Sequence, residues 1–427
     1  MWATITRTVT RRLMTKHGAS LLTSIALTAA LVVCAALATA SPFPKHRVTI
    51  WAPSVTIGGP TFDDQTIRMI AHASLGGSSV RIHLSNLRST TPLRVGRVSI
   101  AYQADSASVV AGSLRTVTVA HATSFILPAG TEAFSDPIPM HVNAGQNLLI
   151  SLYLPEKTSS ATWHSDAYDT TYVSDAGAGD HTDDIDGARY TRTTTSWYYL
   201  SGVDVLANNH NTIAAFGDSI TDGYNTPKGA YARWPDDLAR RLAESHHPIA
   251  VVDAGLGGNR VLTDAPNIWQ GISAIKRFAH DALDLPGVKT VILLEGINDI
   301  GNDAGPNGAP LTAQDLIEGY KQLIKQAHDA GVRIIGGTLL PDHGAGYYTE
   351  SREAIRQACN QWIRSSGAFD GVIDFDQAMR DPTHPTSLRP RYDSGDHVHP
   401  NAAGMQAMAN AIDLHLLTLS AEREYRR

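Results

Sequence analysis

Thr212-Ile213-Ala214-Ala215-Phe216 is a short apolar run with the character of a buried strand, and Gly217-Asp218-Ser219-Ile220-Thr221-Asp222-Gly223 follows it as a turn that opens a helix. A serine at a strand-to-helix junction holds its hydroxyl clear of the backbone. Near residue 400 the chain carries a second marked cluster, Asp396-His397-Val398-His399-Pro400-Asn401. It contains the base and the acid that a serine nucleophile needs. About 180 residues separate the two clusters, so only a fold can join them.

Outward from Ser219, the chain alternates strand, loop and amphipathic helix. Strands are expected at Ile213 to Phe216, Ile249 to Asp253, Thr290 to Leu294, Val332 to Leu339 and Gly371 to Phe375. Helices are expected around Tyr231 to Ser245, Ala274 to Leu283, Thr312 to Ala330, Thr349 to Ser366 and Ala402 to Leu417. This alternation implies a parallel sheet covered by helices on both faces. Functional groups of such sheets gather where the strands end. Ser219 stands at such an end, as do the loops Gly255 to Asn259 and Glu295 to Asp299.

Residues 47–205 follow another rhythm. Val48 to Trp51, Val80 to Leu84, Val95 to Ile100, Thr116 to Val119 and Leu148 to Leu152 read as strands separated by turn formers, with Trp197 to Leu200 as a last strand. Helical periodicity is nearly absent. The region is expected to be a β-sandwich or jelly-roll-like module.

A serine hydroxyl needs a group to take its proton as it attacks a carbonyl. His399 is the expected base and Asp396, three residues earlier, the acid that orients it; His397 is the rival base. The backbone N–H of Ser219, a glycine of Leu256-Gly257-Gly258-Asn259 and the amide of Asn298 in Gly296-Ile297-Asn298-Asp299 are candidate donors to a developing oxyanion. Asn259, Asp299, His343, Tyr347 and Tyr348 are candidate substrate-binding residues, the last three in the glycine-rich loop Asp342 to Tyr348.

Gly217-Asp218-Ser219, Gly258, Gly296-Ile297-Asn298-Asp299 and Asp396-His397-Val398-His399 together resemble, in chain order, the four signature blocks of the SGNH or GDSL-like hydrolases. The resemblance covers residues 211–418. It implies a flavodoxin-like three-layer α/β/α hydrolase domain, with Ser219 as nucleophile, His399 as base and Asp396 as its partner. It also implies Ser219, Gly258 and Asn298 as the oxyanion hole, Gly257 being a local alternative to Gly258. The β-rich region, 47–205, is similar to the accessory domain of some secreted bacterial members.

The bulk properties agree with such an enzyme. At 427 residues and 43% hydrophobic content the chain can build more than one core. Arg7, Arg11, Arg12 and Lys16 precede an apolar run from Leu21 to Leu37 and then Ala38-Thr39-Ala40, so residues 1–40 read as an export signal, with a twin-arginine character at Arg11-Arg12. Cleavage removes four basic and no acidic residues and takes the formal charge from -6 to -10. That balance, with no basic stripe, excludes nucleic acid as a partner class. It leaves a secreted or periplasmic protein with no stable membrane insertion after cleavage, and with Cys359 as its one cysteine, expected to pack in a core.

No cofactor and no metal is expected. Gly257-Gly258 lack the spacing and the lysine of a phosphate-binding loop, and the acidic stretch Asp175 to Asp186 lacks the EF-hand spacing and reads as a solvated loop. The expected substrate is a small-molecule or polysaccharide ester, with O-acetylated carbohydrate favoured. Trp51, Trp163, Trp197 and Tyr198 are either a sugar platform or core residues. A lipase acting on longer acyl esters and a noncatalytic polysaccharide-binding protein are the alternatives. A glycosidase would call for paired carboxylates instead. The oligomeric state does not follow from the sequence.

Overall fold

The computed structural model describes residues 47–207, 211–245 and 249–418. The expected export signal, 1–40, lies outside the described residues.

The β-rich region is built from antiparallel strands. The principal ones are β1 (Arg47–Trp51), β2 (Gln65–His72), β3 (Ser78–Ser85), β4 (Arg97–Asp105), β5 (Glu132–Phe134), β6 (Asn147–Leu154), β7 (Thr171–Val173) and β8 (Leu200–Leu206). One sheet runs β1-β8-β3-β5, and another has β7-β2-β6-β4 at its centre. Alternate residues of both sheets, among them Val48, Ile82 and Val203 from the first and Ile67, Ile100 and Ile150 from the second, meet in one hydrophobic core. Gly96 interrupts the expected Val95 to Ile100 strand. A Cβ there would sit 2.6 Å from the Tyr153 ring, so the close packing of that ring requires a glycine. The expected last strand is likewise broken at Tyr199, whose φ is +57°.

The α/β region carries five parallel strands, β9 (Thr212–Gly217), β10 (Ala250–Gly255), β11 (Val288–Leu294), β12 (Arg333–Gly337) and β13 (Gly371–Ile373). Their order is β10-β9-β11-β12-β13, the doubly wound pattern 2-1-3-4-5. Every residue of β9 is buried, as expected of a central strand covered on both faces. The longer helices are α1 (Trp234–Glu244), α2 (Ala313–Asp329), α3 (Glu350–Ser365) and α4 (Ala402–Ala411); α1 packs on α4 and α2 on α3. Thr312, Thr349 and Asn401 cap the last three by accepting backbone N–H groups of their first turns. The helix expected over Ala402 to Leu417 stops at Ala411, and the one starting at Ala274 widens into a π-type turn over Ala279–Leu283. Cys359 is fully buried in α3.

The two regions are joined by polar contacts. The Thr49 N–H donates to the Pro286 carbonyl at 2.9 Å, and Thr212 Oγ1 donates to the Thr49 carbonyl at 3.0 Å. His280 bridges Glu132 of the β-rich region (2.9 Å) and Asp281 (2.6 Å). A cavity of about 270 Å³ lies along this seam, lined in part by Trp51, His72, Trp197, Tyr231 and Arg233. Trp51, Trp197 and Tyr198 are buried, which decides between the two alternatives for the aromatic set in favour of the core for three of its four rings.

Candidate active site

Three parallel strands end side by side. In register, Gly217 of β9 lies opposite Gly255 of β10 and Leu294 of β11, so the three loops that follow leave the sheet at one level about 5 Å apart. Ser219 stands two residues beyond that level, Gly258 three residues beyond Gly255, and Asn298 four beyond Leu294. The Leu256 N–H donates to the Gly217 carbonyl at 3.0 Å, which ties the first two loops together.

Ser219 opens a single helical turn, Ser219–Asp222. Asp218 caps it, its carboxylate accepting from the Ile220 N–H at 2.9 Å. Burial pushes the Asp218 carboxyl up to about 6 despite that bond. The turn ends at Gly223, φ +88°, where a Cβ would sit 2.5 Å from the Arg233 side chain.

The segment before α4 brings the other cluster to the serine. Ser219 Oγ lies 2.8 Å from His399 Nε2, and His399 Nδ1 lies 2.7 Å from Asp396 Oδ2. The second oxygen of Asp396 accepts the N–H groups of Val398 (3.0 Å) and His399 (2.9 Å), so one carboxylate holds both the ring and the backbone of the histidine. Burial alone would raise the Asp396 pKa; the bond from the His399 ring and the two N–H donors outweigh it and hold the group well below the usual carboxylate range. The Tyr224 ring packs on the histidine, centroids 4.4 Å apart. His397 is turned elsewhere, at φ +66° with Nδ1 2.6 Å from Asp393 Oδ2, and makes no bond to Ser219.

Of the candidate oxyanion donors, Asn298 is the most telling. Its Nδ2 is buried and has no hydrogen-bond partner among the described residues. A buried amide without a partner is costly and rare, and it is the state expected of a donor held for a ligand. Gly258 has φ +72°, and a Cβ there would fall 2.0 Å from Gln270 Nε2, so both conformation and space demand glycine.

Two candidate substrate-binding residues prove to be scaffold. Asn259 is fully buried; its amide donates to the carbonyls of Gln270 (2.7 Å) and Ile272 (2.9 Å), and its oxygen accepts from Arg277. Asp299 is equally buried, its two oxygens accepting the N–H groups of Val261 (2.8 Å) and Leu262 (3.0 Å), and burial pushes its carboxyl up to about 7. Both knit the loop that carries Gly258 into place, and neither has a polar atom left for a substrate. Of the remaining three, Tyr347 packs on Gly301, and burial, followed by the charges of Asp342, Asp218 and Asp396, raises its phenol pKa. Tyr348 reaches Glu350 at 3.4 Å, and the His343 ring lies 4.7 Å from that of Tyr348.

Arg277 lies in no sequence motif. Its guanidinium is buried and donates to the carbonyls of Gly217 (2.8 Å) and Ala254 (3.0 Å), to Asn259 Oδ1 (2.7 Å) and to Ser54 Oγ (2.9 Å). One side chain thus fixes the ends of β9 and β10, the glycine loop and a loop of the β-rich region. An arginine on an otherwise apolar helix face, between Ala274 and Phe278, is the signal that would have found it.

Residues 215–407 match the GDSL-like lipase/acylhydrolase family. The chain carries an ester hydrolase domain of that family. The GDSL-like domain is also similar to solved structures. One is a GDSL-like lipase from Bacteroides thetaiotaomicron, at 17% identity over 49% of this chain and 89% of that one, with a TM-score of 0.37. Another is an acetylxylan esterase from Geobacillus stearothermophilus, at 19% identity over 49% and 94%, with a TM-score of 0.37. A third is an aryl esterase from M. smegmatis in its inhibitor-bound form, at 16% over 49% and 99%, with a TM-score of 0.38. No curated protein matches the chain. Among the described residues, no helix is long and apolar enough to cross a membrane.

Proposed function

We propose that this protein is an exported serine esterase that acts by acyl-enzyme chemistry on esters of hydroxylated, carbohydrate-like alcohols, O-acetylated sugars foremost. The unbroken chain of hydrogen bonds from Ser219 Oγ through His399 to Asp396 is the observation that carries the reading. Ser219 attacks the ester carbonyl while His399 Nε2 takes its proton, and Asp396 stabilises the imidazolium that forms. The negative charge that develops on the carbonyl oxygen is received by the N–H groups of Ser219 and Gly258 and by Asn298 Nδ2. His399 then hands its proton to the departing alcohol. A water that gives its proton to the same histidine attacks the acyl-enzyme, releasing the acid and restoring Ser219.

In this reading residues 1–40 are the export signal, 47–205 a two-sheet accessory sandwich and 211–418 the catalytic domain with flavodoxin-like topology. The product is a secreted or periplasmic enzyme. Acidic net charge and a rim bearing Tyr224 and Trp269 support a neutral hydroxylated substrate over an anionic one. The test is a substrate panel: acetylated xylan against p-nitrophenyl esters from two to sixteen carbons, with a fluorophosphonate probe to locate the nucleophile by mass. The expected result is sugar deacetylation, rates on synthetic esters that fall with chain length, and labelling at Ser219. Faster turnover of long acyl chains with little sugar deacetylation would make the enzyme a lipase. Labelling elsewhere would remove Ser219 as nucleophile.

A further inference from the structure

The β-rich region reaches the rim of the catalytic site through the stretch of residues 163–169. His164 anchors it from below. Its ring is buried, with Nδ1 2.7 Å from the Ser54 carbonyl and Nε2 3.0 Å from Asp222 Oδ1, so the stretch is fastened to the same helical turn that Ser219 opens. Above the anchor, the Ala167 N–H donates to the Thr195 carbonyl at 2.8 Å, the Ala167 carbonyl accepts from Arg233, and the Tyr168 carbonyl accepts from the Gly229 N–H at 2.8 Å. Tyr168 itself is held at φ +47°, a left-handed conformation that a tyrosine keeps only where its surroundings determine it.

That stretch touches both flanks of the serine. On one flank Asp166 stands over the glycine loop: a Cβ on Gly257 would lie 3.8 Å from Asp166 Oδ2, 3.4 Å from the Trp269 ring and 3.9 Å from Asp222 Oδ2. On the other, the Tyr168 ring meets Tyr224 edge-on at 6.4 Å, and Tyr224 packs on His399. A leaving alcohol must depart beside His399, so Tyr168 and Tyr224 flank the alcohol part of the ester, with Asp166 two residues from Tyr168 on the same stretch.

Asp166 is half-buried, and among the described residues it accepts one hydrogen bond, from Ser165 Oγ at 2.8 Å, with no basic side chain paired to it. A carboxylate has about four lone-pair positions, so most of its accepting capacity is uncommitted, and one of its oxygens lies beside the glycine loop. It cannot serve the oxyanion, since like charges repel. What it can serve is O–H donors, and two oxygens side by side suit the adjacent hydroxyls of a sugar ring, flanked by aromatic faces that suit its C–H surface.

We propose that Asp166 is a specificity-determining residue that accepts hydrogen bonds from free hydroxyl groups of the alcohol moiety, so that the β-rich region selects polyhydroxylated esters for the serine. The inference rests on the serine-esterase reading above.

The test compares the full chain and two variants, Asp166→Ala and Asp166→Asn, on acetylated xylo-oligosaccharide, on p-nitrophenyl acetate and on acetylcholine. In Asp166→Ala the ratio of kcat/KM on the sugar ester to that on p-nitrophenyl acetate falls at least tenfold, mostly through KM, as expected for a lost hydrogen bond to a charged group. Asp166→Asn, which keeps one accepting oxygen, falls between. Equal losses on both esters would mean a structural role and overturn the inference alone, as would an unchanged ratio. A preference for acetylcholine, with Asn as damaging as Ala, would make the carboxylate a cation site and overturn it too. A wild type that cleaves p-nitrophenyl acetate but no sugar ester overturns this inference and the substrate class together. A wild type that cleaves neither overturns the esterase reading itself.

Discussion

The α/β region and the β-rich region are both hydrogen-bonded sheets with large buried cores, yet they place polar side chains in opposite ways. In the α/β region three parallel strands stop at one level, and each sends a loop with a polar or glycine residue over the same edge. The β-rich region contributes from two places, Ser54 and the stretch that carries His164 and Asp166, and these meet the edge of the α/β sheet across the seam. Parallel connection forces functional groups together at strand ends, whereas antiparallel connection leaves them scattered unless a neighbour collects them. Here Arg277 is the collector, since it bonds Gly217, Ala254, Asn259 and Ser54 at once.

The largest expected effect would break the comparison outright if it failed. Ser219→Ala should lower kcat by about 10⁴ to 10⁶-fold with the melting temperature nearly unchanged, as for other nucleophile deletions. Retained turnover would mean that the chemistry lies outside the strand ends. Next comes the collector. Arg277→Met removes a buried cation facing Glu295 and Asp281 and should destabilise the fold by about 3–5 kcal/mol, read by denaturant unfolding. If activity fell but stability did not, Arg277 would be a positioning group for the loops rather than the tie between regions.

Asn298→Ala separates site from scaffold more finely. Loss of one oxyanion donor should cost about 2.7–4 kcal/mol of transition-state stabilisation, a drop of 10² to 10³-fold in kcat with KM little changed. Because Asn298 Nδ2 has no partner among the described residues, the same change should leave thermal stability intact or slightly improved. A parallel loss of stability would show that the amide is a structural donor.

The smallest effect concerns the seam and pH. Burial by itself would lower the His280 pKa, but bonds to Asp281 and Glu132 raise it to about 10 from an ordinary 6.5. A folded-state pKa above the unfolded one stabilises fully below pH 6.5, and that contribution is lost as pH rises towards 10. Stability of the wild type should therefore decline over that window, and His280→Gln should flatten the decline. An identical slope in the variant would show that the bridge contributes nothing to joining the regions.

Much of the α/β region was legible because its signals are local. Ser219, Asn298, Asp396 and His399 each sit in a short block whose turn chemistry and flanking strand can be read within ten residues, and the strand cores from β9 to β11 fall where the apolar runs do. What failed to read was burial and distance. Asn259 and Asp299 have the composition of a binding loop, and nothing in the linear chain shows that their polar atoms are already engaged. Trp197 and Tyr198 have the composition of a sugar platform as well as of a core, and only the fold shows that both, with Tyr199 and Leu200 after them, are buried. Asp166 matches no motif, because its importance comes from a glycine 91 positions away in the chain.

The 180-residue separation of the bonded pair Ser219 and His399 also has a consequence in time. At 5 to 20 residues per second a ribosome needs roughly 9 to 36 s to pass from one to the other. Throughout that interval the serine is made but has no base, so a growing chain carries a silent hydroxyl. In the serine-esterase reading, catalysis waits for the last member of the triad to be synthesised, and the order of the blocks along the gene acts as a delay.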